Sequence, residues 1–216
     1  TGLFVLAVLL AAWLQLERAE RAAVTASEDL VTQQLAGAES NLNRLLMGVD
    51  LALASLASPL AATQDGRGEI DHSLLKAALE QLDETRLEIA DAAVVDSGGR
   101  TLAAALPATA RRGVALPPGF AEAVFAQPVA QLSVSAPVAS AHSAEPSVFL
   151  ARVLQLAGSQ RVLAVAEMPV GVLSSVVGPA ADPLPLAITI ERDDGLLLAS
   201  VPPNDPHIGH HLPQPP

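Results

Sequence analysis

Three histidines close to the end of the chain are the first residues whose types and spacing could do chemistry. His207-Ile-Gly-His210-His211 sets its imidazoles close together, and closely spaced imidazoles can ligate zinc. The run lies among Pro202, Pro203, Pro206 and Pro213, the chain has no cysteine, and Asp205 is the one nearby carboxylate. Prolines cannot hold helical ligand spacing, so no metal site is expected. Asp96, Asp193 and Asp194 stand beside glycines, where aspartate usually caps its own backbone in a turn. Arg152 is more informative, because it interrupts the apolar run Phe149–Leu154. Its planar fork could hold an anionic ligand, or the residue could face solvent, since strands alternate. Ser133 and Ser135 share one face of an expected strand, and Glu167 lies in the last strand of the same sheet. Arg152, Ser133, Ser135 and Glu167 are therefore the candidate ligand-binding residues.

Nothing in the sequence points to catalysis. There is no Gly-x-Ser-x-Gly elbow, no phosphate-loop lysine and no His-Glu-x-x-His. Gly66-x-Gly68 is too short to signal a nucleotide fold. No catalytic residue and no cofactor are expected. A net charge of −11 disfavours nucleic acid, and only 2% of residues are aromatic, which leaves few rings to stack on a base.

The elements that must position these residues follow from punctuation and period. Residues 1–16 are apolar on every side and give way abruptly to Glu17, Arg18, Glu20 and Arg21. Such a run reads as a transmembrane helix, with Trp13 near its outer interface. The run opens without a methionine or a basic flank, so the span is expected to begin upstream. A cleaved signal peptide is the rival; four charges before the small residues Val24-Thr-Ala26 oppose it. A long stalk helix is expected over 17–60, ending near Ser58-Pro59. Leu42, Leu46, Val49, Leu53, Leu56 and Leu60 form a heptad seam along it. That seam could lie on the domain's own core, or it could join two copies as a homodimer through the long helix.

Helical spacing returns over 70–88, and extended runs follow: 92–96 and 100–105 around Ser97-Gly-Gly99, then 130–138, 147–156 and 161–168. A short helix is expected at 120–125 and another at 171–177. A final hairpin, 186–191 and 196–201, surrounds Asp193-Asp-Gly195. The order predicts the α+β class, with a five-stranded antiparallel, PAS-like sheet behind a long N-terminal helix and helices on one side. The chain also repeats itself at an offset of 96 residues: Gly99 with Gly195, Leu102 with Leu198, Ala103 with Ala199, Pro107 with Pro203. The repeat marks the final hairpin as the beginning of a second, incomplete module. The expected organisation is a transmembrane helix at 1–16, a stalk helix at 17–60, a membrane-distal PAS-like sensor module at 61–178 and the start of a second at 179–216.

A membrane span, a long helix, a module opening on Ala-Val-Val-Asp-Ser-Gly-Gly-Arg100 and a second opening on Ile190-Glu-Arg-Asp-Asp-Gly-Leu-Leu-Leu-Ala-Ser-Val-Pro202 resemble a double Cache ectodomain. These are the periplasmic, PAS-like sensors of diguanylate cyclases, sensor histidine kinases and chemoreceptors. Arg192, Asp194, Gly195, Leu197, Leu198, Pro202, Ile208 and Gly209 fit the family's Arg-x-Asp-Gly-x-Leu-Leu…Pro…Ile-Gly run. The resemblance implies residues 17–216 outside the plasma membrane, a small-molecule ligand, and a cytoplasmic diguanylate cyclase or histidine kinase output beyond this sequence. Amino-acid-sensing members clamp their ligand with aromatic, Arg and Asp side chains. This chain has no Tyr, and its one Trp is in the apolar segment. The alternative is a periplasmic small-molecule binding module without catalytic output.

Overall fold

The computed structural model describes residues 2–63, 72–83, 88–105, 116–140, 143, 145–156, 160–181 and 187–212. Helix α1 runs from Gly2 to Ser55 as one 54-residue element, followed after a break at Leu56 by α2, Ala57–Thr63. Pro59 sits in the first turn of α2, where a missing N–H costs nothing. The helix therefore ends three residues before the expected Ser58. Helix α3 spans His72–Asp83. The expected loop at 63–68 lies, beyond Thr63, outside the described residues.

The sheet is antiparallel throughout. Strands β1 (Asp91–Asp96), β2 (Thr101–Ala104), β3 (Ser133–Val134), β4 (Val138–Ala139), β5 (Pro146–Gln155) and β6 (Arg161–Pro169) lie in the order β2-β1-β6-β5-β3, with β4 also paired to β5. The single strand expected over 130–138 is thus two short pieces of one split edge strand. Pro137 lacks an N–H to donate, and Ser135 fills part of the gap. Its hydroxyl accepts from the Phe149 amide at 2.8 Å and donates to the Ala136 carbonyl at 2.7 Å. The turn joining β5 to β6 lies mostly outside the described residues.

Side-chain alternation along β5 and β6 sorts the core into two faces. Val148, Leu150, Leu154, Val162, Ala164, Ala166 and Met168 face α1, α3 and α5 (Val170–Ala181). Phe149, Ala151, Val153, Leu163 and Val165 face the other way, under α4 (Phe120–Phe125), which contributes Val124, Phe120 and Phe125. Three helices on one side is the arrangement that the strand order leads one to expect; α4 on the opposite face is not. The heptad seam packs inward: Val49, Leu53, Leu56 and Leu60 are buried in the helix-side core, and Leu42 and Leu46 pack against it. Burying four such side chains contributes roughly 1.5–3 kcal/mol each.

The last hairpin joins β7 (Ile188–Glu191) to β8 (Leu197–Val201). It repeats the β1–β2 hairpin in register as well as in residue type. Val94 faces Ala103 and Ile190 faces Ala199; Val95 faces Thr101 and Glu191 faces Leu197; each ladder shifts register at the same step. Gly99 and Gly195 both take a left-handed φ, +80° and +82°, which glycine adopts without steric cost. The hairpin does not stand free. Ile190, Leu196, Leu198 and Ala199 belong to the helix-side core, and β8 packs against α5.

Candidate ligand-binding face

The sheet face away from α1 carries two buried carboxylates and a buried serine. Ladder pairing sets Asp91 opposite Glu167 and Glu167 opposite Phe149, so the two carboxylates are cross-strand neighbours on that face. Both are buried. Asp91 Oδ1 accepts from the Ala92 amide at 2.8 Å. Ser147, one step along β5 on the same face, is fully buried, and its hydroxyl has no hydrogen-bond partner among the described residues. A buried polar atom without a partner is costly and rare in native proteins. The next row is built of small side chains, with Ala93 opposite Val165 and Val165 opposite Ala151. Ser133 lies opposite Ala151 and exchanges hydrogen bonds with the Gln127 amide, 2.9 Å from Nε2. Asp91, Glu167 and Ser147 thus form a buried polar row beside a row of small apolar side chains.

At the far end of this face, Phe125, Gln127, Pro128, Val153, Gln155 and Arg161 line a cleft of about 400 Å³. The Arg161 guanidinium stands 5.8 Å from the centre of the Phe125 ring, within cation–π range.

The four residues expected to bind a ligand do not form one cluster. Ser133 and Glu167 share the α4-side face. Ser135 lies at the same edge but is committed to backbone hydrogen bonds. Arg152 projects from the opposite face, where Nη1 reaches both carboxylate oxygens of Asp50 on α1, 2.6 Å to Oδ2. It ties the middle of the sheet to the long helix and points away from the other three. Asp91, Ser147 and Asp50 escaped the sequence reading. Asp91 and Ser147 needed the register of the ladder. Asp50 did leave a signal, a charge directly flanking the buried seam residue Val49.

The turn aspartates behave as turn formers. Partial burial pushes the Asp96 carboxyl up, but the Arg100 and Gly98 amides and the Arg100 guanidinium outweigh it and hold it below its ordinary value. Asp194 is held down to about 2, first by its hydrogen bond from Arg192. Arg192 also donates to the Val134 carbonyl at 3.3 Å, joining the last hairpin to β3. His207 Nδ1 lies 2.9 Å from Asn204 Oδ1, and among the described residues no group of three His, Asp or Glu side chains is placed to hold a metal.

No family model matches the sequence, and no curated protein matches it. Solved structures do match. The ligand-binding domain of the Pseudomonas aeruginosa PAO1 amino acid chemoreceptor PctB, in complex with L-Gln, aligns with a TM-score of 0.63 at 16% identity, covering 85% of this chain and 72% of that one. The ligand-binding domain of the Pseudomonas fluorescens chemoreceptor CtaA, in complex with L-valine, aligns at 0.62 and 16% identity over 86% and 80%. The extracellular domain of a protein named as a histidine kinase aligns at 0.63 and 16% identity over 83% and 72%. The chain has the fold of chemoreceptor ligand-binding domains. The expected PAS-like sheet, with a second, partial module after it, is therefore correct at the level of fold. Near the N-terminal end of that fold, the helical stretch Thr25–Ala61 is long and apolar enough to span a membrane. The hydropathy of the stretch Thr25–Ala61, which runs from α1 through the break into α2, has a second cause, since Val49, Leu53, Leu56 and Leu60 there are core residues.

Proposed function

We propose that this chain is the extracytoplasmic ligand-sensing input region of a bacterial transmembrane receptor. The charge-free start of α1 lies in the plasma membrane and residues 17–216 lie outside it. The observation that carries the reading is the polar floor of Asp91, Glu167 and Ser147 on the sheet face away from α1. A few buried polar groups over small side chains suit a small-molecule site. Two adjacent carboxylates favour a ligand with a cationic, ammonium-bearing end, and the chemoreceptor domains of the same fold hold L-Gln and L-valine. With no Tyr present, hydrogen bonds and charge contribute more to such binding than aromatic contacts. Ligand binding shifts β5 and β6 against α1, and the Arg152–Asp50 pair couples that shift to the helix that enters the membrane. The β7–β8 hairpin begins a second module, and the output beyond it is a diguanylate cyclase or a histidine kinase. A reporter enzyme active only outside the cytoplasm, fused after Pro216, tests the topology and should be active. Activity of a cytoplasm-only reporter at that position would overturn it.

A further inference from the structure

The cleft at the far end of the α4-side face has a chemistry of its own. It lies where the end of α4 meets the last residues of β5 and the first of β6, with Phe125 and Gln127 on one wall and Gln155 and Arg161 on the other. Arg161 is the one charged group among the described residues that line it, in a chain with 23 acidic side chains against 12 Lys and Arg. Among the described residues Arg161 has no carboxylate partner and stands instead over the Phe125 ring. A guanidinium over a ring keeps its in-plane N–H groups for a planar acceptor. Gln155 is the ladder partner of Arg161, so the two side chains leave the sheet side by side on one face. We propose that this cleft binds a small organic carboxylate. The Arg161 fork takes the carboxylate, the Gln155 amide donates beside it, and Val153 and Pro128 cover its apolar body.

This site is separate from the floor of Asp91, Glu167 and Ser147. Arg161 opens β6 and Glu167 lies near its other end, and six residues at about 3.3 Å each put them about 20 Å apart. An α-amino acid carries its ammonium and carboxylate on adjacent carbons, so no single amino acid reaches both. The floor is acidic and suits a cation; the cleft is basic and suits an anion. Its volume of about 400 Å³ falls within the range of about 300–1,000 Å³ common to small-molecule sites. A carboxylate held there bridges α4 to β5 and β6, and the proposal stands whether or not the floor binds a cation.

Benzoate and butyrate are the probes, added to the full chain in non-ionic detergent and followed by backbone amide shifts and calorimetry. At least one should bind and shift the amides around Gln155 and Arg161. Its neutral amide, benzamide or butyramide, should bind at least about tenfold more weakly, because a charge-assisted pair is lost. Arg161→Gln should lose a similar factor and Arg161→Lys part of it, since a point charge replaces the fork. Gln155→Glu sets a carboxylate across the ladder from Arg161. It should abolish binding while the melting temperature holds or rises, which separates loss of binding from loss of fold. Arg44→Gln, which removes an exposed charge on α1, should change nothing. Binding of neither carboxylate, equal binding of the neutral amide, equal loss in Arg44→Gln, full binding in Gln155→Glu, or shifts centred on Asp91 and Glu167 would overturn the proposal.

Discussion

Removing Asp50 should weaken the sheet-to-helix tie and leave its partner in the wrong place. Arg152 projects from β5 between Leu150 and Leu154, both buried against the helices, and its side chain is 23% exposed against 33% for Asp50. The pair lies between the two limiting cases, an exposed ion pair worth about 0–1 kcal/mol and a buried one that costs about 3–5 kcal/mol to break from one side. Asp50→Ala should therefore destabilise by about 2 kcal/mol, because it strands a guanidinium over apolar surface. At roughly 2–4 °C per kcal/mol for a domain of this size, the melting temperature should fall by about 4–8 °C. Arg152→Met should cost less, since its methylenes are replaced and Asp50 keeps more access to water. The double variant should recover part of the loss, with a coupling energy of about 1–2 kcal/mol. Chemical denaturation of the four proteins measures it. A coupling energy below about 0.3 kcal/mol, within the additivity expected of independent sites, would refute the tie and return Arg152 to the pool of residues free to meet a ligand.

Other outcomes follow from single positions. Leu53→Ala empties a fully buried site in the helix-side core and should cost about 2–5 kcal/mol by denaturant titration. Gly99→Ala and Gly195→Ala force a left-handed residue to carry a Cβ; each should cost about 1 kcal/mol, and the two should add, since the turns are separate. The Asp194 carboxyl should titrate near pH 2, followed by NMR. Its folded pKa lies below the unfolded value of about 3.9, so the stability it supplies is complete above that value and is lost as pH falls through the folded one. Arg192→Gln should move the midpoint back toward the ordinary carboxylate range.

The parts of the fold that were legible in the sequence are those with local causes. Gly99 and Gly195 announce their turns because only glycine takes that backbone freely. The 96-residue offset was visible as four identities and proves to be a repeat of pairing register. The seam from Leu42 to Leu60 was legible as a period, but a period does not name what it packs against; the sheet claims it. Pro137 lies inside the single strand expected over 130–138, and its missing N–H splits that strand in two. The site was less legible, for a reason of register. Alternation says that Arg152 and Glu167 lie on definite faces, but that these faces are opposite is fixed only when Arg152 pairs with Ala164 and Glu167 with Phe149. Asp50 is 102 residues from Arg152, and no local pattern could join them.

The most direct test of the account is ligand binding read out on both faces at once. The purified chain would be screened by thermal shift against amino acids, amines and small organic acids, and any compound that raises the melting temperature would be titrated by calorimetry. The account predicts a ligand whose affinity falls at least tenfold in Glu167→Gln, the loss of about 1.4 kcal/mol expected for one charged hydrogen bond, and is unchanged in Arg152→Met. A ligand that binds Glu167→Gln as tightly as the natural chain, and is lost in Arg152→Met, would contradict it.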